Sequence, residues 1–573
     1  MCGIHGVIST VPIPNISSEL RNALSNRGPD HSGQTSRELH LPNGDSIIHL
    51  NFTSTVLALR GDHVAKQPLE SSATGSVLCW NGEAWRIDGQ PIGSENDGEL
   101  ILAKLDATDS SSSESRESHI LNIIRSIDGP FAFLFYDAQF KRLYFGRDRL
   151  GRRSLLINQA EDGNSISFSS IADISAAGWK EVEADGVYAL NLESRIATSH
   201  DFKLDTRIAR YEWLSSPRGD NMVPSIGSFN MALPPQEHKL DFGSVSVEML
   251  RYWLCESLKL RVLNIPEPPS PLSDADVRLA ILFSGGLDCT VLARLAHDLV
   301  PSSQGIDLIN VAFENPRQVA VDKTVRRTQP YLPVTDVYEA CPDRITGRKA
   351  FAELRSICPD RHWRFIAVNV PYEEALSHKS RVVSLMYPHN TEMDLSIAFA
   401  LYFAARGIGN SYTHSCEWEP DPPSITSPAR VLLSGLGADE LFGGYSRHEA
   451  AFKNGGYARL VEELMLDISR IGQRNLGRDD RIMAHWGKEV RFPYLDEELV
   501  RFAISSPIWE KCDFQHQFHP AVIDPAKRIL RLLADELGLK AIAREKKRAI
   551  QFGSRTAKME SRTSRVRGTT TIT

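Results

Sequence analysis

The stretch Val277–Val300, VRLAILFSGGLDCTVLARLAHDLV, constrains this chain more than any other. Leu279 to Phe283 form a short continuous apolar run, the pattern of a strand covered on both faces of a parallel sheet. Ser284-Gly285-Gly286 then supplies a hydroxyl and two residues that tolerate positive φ or the close approach of a ligand. From Asp288 onward Val291, Leu292, Leu295, Ala296 and Leu299 recur at helical spacing, so a helix N-terminus faces the turn. Its unpaired N–H groups and positive dipole end suit a phosphate. An ordinary βα turn also favours glycine and serine, so this stretch alone leaves both readings open.

A buried parallel strand needs neighbours. At 573 residues the chain predicts two to four domains with large cores. Leu308 to Phe313 and Phe365 to Val370 read as strands, and Leu395 to Ala405 as a helix. Val431-Leu432-Leu433 reads as another buried strand, ending at Ser434-Gly435-Leu436-Gly437-Ala438-Asp439-Glu440. Repeated βα units imply a doubly wound parallel sheet, whose ligands bind beyond the carboxyl ends of the strands. Both glycine loops fall at such ends. Helices are expected to dominate from Tyr457 to Leu537. The tail, residues 553–573, carries five basic residues and one acid in GSRTAKMESRTSRVRGTTTIT and is expected to be disordered and solvated.

Residues 2–190 predict a separate β-rich domain. Its strand-like pieces are Gly6 to Ile8, Val56 to Leu59, Val77 to Trp80, Phe131 to Tyr136, Leu143 to Gly146 and Ser165 to Ser169. Ser110 to Ser113 reads as a mobile low-complexity insertion. Residues 191–245 are rich in turn formers and read as a linker or wrapping segment. The second domain is expected over 246–552, opening with a helix whose apolar face is Val247, Leu250, Leu254 and Leu258, then a proline spacer, IPEPPSPLS.

Composition removes several classes. A 42% hydrophobic and 24% charged chain is globular, and a net charge of −7 gives no reason to expect nucleic acid. No apolar run approaches the ~18 residues of a membrane span. The N-terminus, MCGIHGVIST, lacks the basic and apolar regions of a secretory signal. Eight scattered cysteines form no C-x-x-C, which argues against a disulfide framework or a zinc site. A reducing, cytoplasmic setting is expected.

Cys2 carries the first chemistry. Once Met1 is removed, its thiol and its own α-amino group share one residue, and an amine of pKa near ~7.7–8.0 can act as a base. The run C-G-I-x-G-V is followed by Asn26-Arg27-Gly28-Pro29-Asp30-His31-Ser32-Gly33 and by Asn81-Gly82-Glu83. In these residues the chain resembles the class II glutamine amidotransferases, which have an α+β N-terminal nucleophile fold, an αββα sandwich. The resemblance implies that Cys2 attacks the glutamine side-chain amide, releases ammonia and leaves a γ-glutamyl thioester for water. It implies Asn81 and Gly82 as the oxyanion hole, Arg60 as the grip on the glutamine α-carboxylate, and Asp97, with Glu83 nearby, as the partner of its α-ammonium. Where the family continues from N-G-E into a tyrosine-asparagine pair, this chain has Ala84-Trp85-Arg86 and a short loop.

The second half is similar to the asparagine synthetases, which place an ATP-pyrophosphatase loop, S-G-G-x-D, at Ser284 to Asp288. No G-K-[S/T] follows, so the implied chemistry is adenylation with loss of pyrophosphate. The resemblance implies ATP and Mg²⁺, with Asp288 and Asp439 as metal ligands. Leu282 or Phe283, Ser284, Gly285, Gly286, Val311, Ser434 and Gly435 would hold the nucleotide. Lys546, or its alternate Lys547, would stabilise charge during amide formation. Cys289 stands where serine is usual and reads as a packed small residue.

Leu436 departs from the family pattern S-G-E-G-x-D-E, whose first glutamate assists the acyl-adenylate chemistry. Losing an acid or base typically costs ~10²–10⁴-fold. With Tyr387-Pro388-His389-Asn390-Thr391 and Gly444-Tyr445-Ser446-Arg447-His448, it points to a divergent, domain-containing branch of the family. The leading expectation is a glutamine-dependent, ATP-consuming asparagine synthetase of amino-acid biosynthesis. Ammonia from Cys2 would pass through an interior channel to an adenylated carboxylate, aspartate by family default. An amidotransferase with another acceptor and a degenerate nucleotide- or protein-binding relative are the alternatives. Small-molecule substrates, and neither nucleic acid nor membrane, are the expected partners; a homodimer is left open.

Overall fold

A computed structural model describes all residues except 1, 41–46, 108–111, 194–203, 205–206, 215–221, 224, 236–237, 268–275, 321–335, 414–421, 517–522, 558, 560–567 and 573. The chain divides into two units. The first comprises Met1–Arg218, Pro224–Ile226 and Ser469–Lys488; the second comprises Gly219–Val223, Gly227–Ile468 and Glu489–Thr573.

Two six-stranded sheets build the first unit. One runs in the order Lys180–Glu181, Leu156–Gln159, Ser165–Ser169, Gly3–Ser9, Ile47–Val56, His31–His40. The other runs Ile208–Glu212, Gly186–Asn191, Arg142–Arg147, Phe131–Asp137, Val77–Gly82, Leu69–Glu70. Alternation along each strand assigns side chains to opposite faces. Val77 and Cys79 join Ile4, Ile8, Phe52 and Leu134 in the layer between the sheets. Leu78 and Trp80 join the opposite face of the second sheet, under Ile101, Leu105, Ile120 and Ile124 of helices Asp97–Asp106 and Ser113–Ser126. A strand covered on both faces is apolar throughout, hence the run VLCW. Helix Ser18–Arg27 packs on strand Ile47–Val56 of the first sheet. The result is an αββα sandwich.

Several expectations are corrected here. The strand expected at Val56 to Leu59 ends at Val56, because the Asp30 carboxylate takes the Ala58 N–H at 2.7 Å and turns the chain out of the sheet. Ile208–Glu212, inside the expected linker, is an edge strand paired with Gly186–Asn191. Ser112 caps helix Ser113–Ser126 by accepting from the Ser115 N–H; Ser110 and Ser111 lie outside the described residues. Residues 469–488 fall within the span expected for the second domain but belong to the first unit. Arg481 anchors them there, with bonds to Glu181 at 2.6 Å and to the Ser154 hydroxyl at 2.8 Å.

The second unit is organised on a seven-stranded sheet in the order Ser424–Thr426, Ile408–Tyr412, Trp363–Val370, Ile306–Phe313, Leu279–Leu282, Val431–Leu433, Glu489–Arg491. From Trp363–Val370 onward every neighbouring pair is parallel; the first two strands form an antiparallel edge. The chain leaves Leu279–Leu282 toward one side and returns to the other at Val431–Leu433. That reversal creates a crevice beyond the two carboxyl ends. Both glycine loops open into it. Helices Leu287–Leu299, Pro342–Ile357, Glu392–Arg406 and Val245–Val262 belong to this unit, the last with Val247, Leu250, Leu254 and Leu258 fully buried. Glu489–Arg491 is a strand within the span expected to be mostly helical. Its two charged side chains pair at 2.6 Å and are buried, so this edge strand of the sheet is a buried element with a surface-like sequence. In the tail, Thr571 bridges Thr391, and Ile572 donates to the Asn390 carbonyl at 2.7 Å, so residues 568–572 are tied to the chain by backbone bonds while 568–571 stay exposed, as a solvated tail would be.

Candidate active sites

Cys2 lies at the mouth of strand Gly3–Ser9 and is buried. Its carbonyl accepts from Arg27 Nε at 3.2 Å, and the next amide, Gly3 N–H, donates to Thr55 Oγ1 at 3.1 Å. Gly28 is obligatory beside it: a Cβ there would stand 2.4 Å from the Thr55 backbone. Gln67 Nε2 lies 3.9 Å from Cys2 Sγ, while its Oε1 accepts from the Trp80 N–H at 2.8 Å. The strand Val77–Gly82 is thereby tied to the thiol through one side chain.

Asn81 follows Trp80 and is fully buried, and neither atom of its side-chain amide has a hydrogen-bond partner among the described residues. A buried amide left unsatisfied costs stability, so this one calls for a ligand. Gly82 is pressed against Pro130 O, where a Cβ would come to 2.5 Å. Arg60 donates from Nε to Glu83 at 3.0 Å and lies 5.3 Å from the centroid of the Trp85 ring. Trp85, the residue at the family departure, is thus a buried platform under the arginine. Asp97 opens its helix and accepts from Trp80 Nε1 at 3.0 Å and from the Ala84 N–H at 2.8 Å. Burial raises its pKa, against the pull of Arg60.

In the second unit the two glycine loops touch. A Cβ on Gly435 would reach 2.9 Å from the Asp288 Cβ, so the glycine is what lets the loops close. Gly285 has φ +77 and would clash at 2.4 Å with Gly347 of the helix Pro342–Ile357. The Ser284 hydroxyl accepts from the Gly286 N–H at 3.3 Å, and the Ser434 hydroxyl from the Leu436 N–H at 3.3 Å. Phe283 is packed into the core near Phe365, leaving Leu282 the more exposed of the pair; Val311 is buried in the neighbouring strand.

Asp288 and Asp439 converge. Lys527, which no sequence spacing marked, places Nζ 2.7 Å from both Asp288 oxygens and 2.8 Å from Asp439 Oδ1. Lys547 Nζ stands 3.1 Å from Asp439 Oδ2 and 3.9 Å over the Tyr445 ring, whose hydroxyl donates to Glu440 at 2.5 Å. Lys546, the expected residue, is exposed instead. The segment there is not helical, so adjacent side chains diverge and the alternate lysine takes the inner place. Burial works to raise the Asp439 carboxyl, but Lys527 and Lys547 overcome it and hold it down at about 2. Burial works to lower Lys527, but the two carboxylates raise it.

Two carboxylates already focused on one cation fit Mg²⁺, which takes one or two carboxylates together with phosphate oxygens. No cluster of three or more His, Cys, Asp or Glu side chains is placed for a metal among the described residues. The remaining ligands would therefore be phosphate oxygens and water.

These features define an N-terminal-nucleophile amidotransferase unit joined in one chain to an α/β unit of asparagine-synthase type. A glutamine amidotransferase domain model matches residues 1–190, and an asparagine synthase model matches residues 425–462 and 452–567. The asparagine synthetase domain-containing protein 1 of Bos taurus is 34% identical, with 98% of this chain and 96% of the relative covered. Its Homo sapiens counterpart is 33% identical over 95% and 93%. Asparagine synthetase 1 (glutamine-hydrolyzing) of Saccharomyces cerevisiae is 22% identical over 88% and 76%. The chain belongs to the family of asparagine synthetase domain-containing proteins.

Proposed function

We propose that this protein is a glutamine-dependent, ATP-consuming amidotransferase that forms asparagine from aspartate. The observation that carries the amidotransferase half is the unsatisfied Asn81 amide, buried one residue from the strand position tied to Cys2. In this mechanism the Cys2 thiol loses its proton to its own α-amine and attacks the glutamine side-chain carbonyl. The tetrahedral oxyanion collects the Asn81 amide and the Gly82 N–H, and its collapse expels ammonia as the α-ammonium returns its proton to the leaving nitrogen. Water then cleaves the thioester to glutamate. Arg60, steadied by Glu83 and Trp85, faces the α-carboxylate, and Asp97 the α-ammonium.

In the second unit the Ser284–Asp288 loop and the N-terminus of helix Leu287–Leu299 would receive the ATP phosphates, with Ser434 and Gly435 closing the far side. Asp288 and Asp439 would hold Mg²⁺, whose chemistry when bound is charge neutralisation at phosphate oxygens. Lys527 and Lys547 add positive charge at the same place. An aspartate carboxylate attacks the α-phosphorus, pyrophosphate leaves, and ammonia displaces AMP from the acyl-adenylate.

The test is pyrophosphate release by purified protein with ATP, Mg²⁺, aspartate and glutamine. Cys2→Ala should abolish the glutamine-driven rate and leave the ammonia-driven rate intact. No aspartate-dependent pyrophosphate with either nitrogen donor would reject asparagine formation. A Leu436→Glu variant that gained the activity would place the fault at that residue.

A further inference from the structure

We infer that Asp480 is a positioning residue for the Cys2 nucleophile, acting through Arg27; the inference rests on the reading of Cys2 as the glutaminase thiol. Arg27 is the last residue of helix Ser18–Arg27, and its guanidinium is fully buried. One edge of the fork, Nε, donates to the Cys2 carbonyl at 3.2 Å; another nitrogen, Nη2, donates to Asp480 Oδ2 at 2.8 Å. The third, Nη1, has no hydrogen-bond partner among the described residues. The orientation of the guanidinium is therefore set by two atoms, and only one of them carries charge.

Asp480 does not depend on Arg27 for its own place. Its Oδ2 also accepts from the Ser154 N–H at 3.2 Å, and its Oδ1 lies 3.6 Å from Arg153 Nη1. The next residue, Arg481, is bonded to Glu181 and to Ser154 Oγ. Gly477, a turn earlier, is pressed on the same Glu181 carboxylate, where a Cβ would come to 2.5 Å. The carboxylate is thus a fixed post and Arg27 the strut between it and the nucleophile.

The geometry matters because Cys2 would be the first residue of the mature chain. With no preceding peptide, the grip on its carbonyl and on the residue after it helps set the direction of its α-amine, beside the Gln67 amide at the thiol. Gly3 is held by Thr55 and the carbonyl by Arg27. A guanidinium free to rotate would loosen the grip on the Cys2 carbonyl, and with it the approach of amine to thiol. A displacement of about 1 Å can cost ~10²-fold in such a reaction.

The experiment uses the full-length protein. Two variants are compared with wild type: D480N, which keeps the shape, and the double variant R27M/D480L, which replaces the buried ion pair by apolar side chains and removes the charge imbalance. Three quantities are read: the rate of Cys2 alkylation by iodoacetamide, located by peptide mass analysis; kcat and KM for glutamine hydrolysis; and thermal unfolding. Positioning predicts folded protein whose Cys2 alkylation and kcat both fall ~10- to 100-fold, with KM within twofold of wild type. A purely structural pair predicts that R27M/D480L regains wild-type alkylation, which would overturn the inference. Failure of both variants to fold would also overturn it, because Asp480 would then be a folding residue. A wild type without glutaminase activity but with slowed alkylation in both variants would reject the glutaminase reading while sustaining the strut.

Discussion

Replacing Lys527 by methionine isolates the charged cluster of the second unit, because methionine keeps the stem and removes only the ammonium. Lys527 is 2% exposed, and the Asp288 and Asp439 side chains are 23% and 20% exposed. Three oxygens lie within 2.8 Å of its Nζ. Removing one partner of a buried ion group typically costs ~3–5 kcal/mol. Lys547 remains 3.1 Å from Asp439, so the loss belongs at the lower end, about 3 kcal/mol.

The cost should be recoverable by the ion the site is proposed to hold. Mg²⁺ at ~100-fold its dissociation constant returns ~2.7 kcal/mol to a folded state that alone binds it. The assay is urea unfolding of Lys527→Met and wild type without nucleotide, with and without Mg²⁺. The variant should lose about 3 kcal/mol, regain most of it with Mg²⁺, and gain nothing comparable from Na⁺ at matched ionic strength. A loss below ~1 kcal/mol would show that the two carboxylates are solvated well enough to stand alone, and the argument from convergence would fail. A full loss with no Mg²⁺ recovery would keep the ion cluster but remove the metal.

Asn81→Ala should lower kcat for glutamine hydrolysis ~10²- to 10³-fold. Thermal stability should hardly change, since the amide makes no hydrogen bond among the described residues; glutamate release and a melting curve decide it, and an unchanged kcat would remove Asn81 from the oxyanion role. Lys547→Ala should depress ATP-dependent pyrophosphate release and Lys546→Ala should not, because only Lys547 reaches Asp439; equal effects would mean that the basic segment acts as a whole. Burial raises the Asp343 carboxyl from 3.8 to about 7, against the pull of Arg548. In the folded state it stays protonated after its unfolded counterpart has ionised, so it subtracts stability as pH rises from about 4 to about 7. At ~1.36 kcal/mol per unit, that window is worth roughly 4 kcal/mol. Asp343→Asn should therefore stabilise the protein at pH 8 and leave it unchanged near pH 4; stabilisation equal at both pH values would contradict the assignment.

What the sequence disclosed is what a dozen consecutive residues can encode. VRLAILFSGGLDCTVLARL contains its own strand, turn and helix, and VLLSGLGADE its own strand and loop, so both ends of the crevice were legible. The sandwich was partly legible, because apolar runs such as Phe131 to Tyr136 are long enough to announce a strand. The charged partners were not. Lys527 is separated from Asp288 by 239 positions and Asp480 from Arg27 by 453. A buried lysine or aspartate has no period and no flanking signal; only the fold selects it from the many that stay in water. Glu489–Arg491 failed for the same reason, since its buried ion pair gives a strand the face of a surface segment.

Leu436 is the opposite case: visible at once, yet without a local consequence. Its N–H reaches the Ser434 hydroxyl, and the turn beyond it depends on Gly437, at φ +103, packed on Leu495. None of that shape uses the side chain at 436. The loop can therefore keep its approach to Asp288, and the carboxylates their cation, with leucine in place of glutamate. On the proposed reading, nucleotide handling and acceptor chemistry are separable in this loop. That is why the two experiments on the second unit are not redundant. Lys527→Met probes the part of the crevice that the departure leaves untouched, and Leu436→Glu probes the part that it changes.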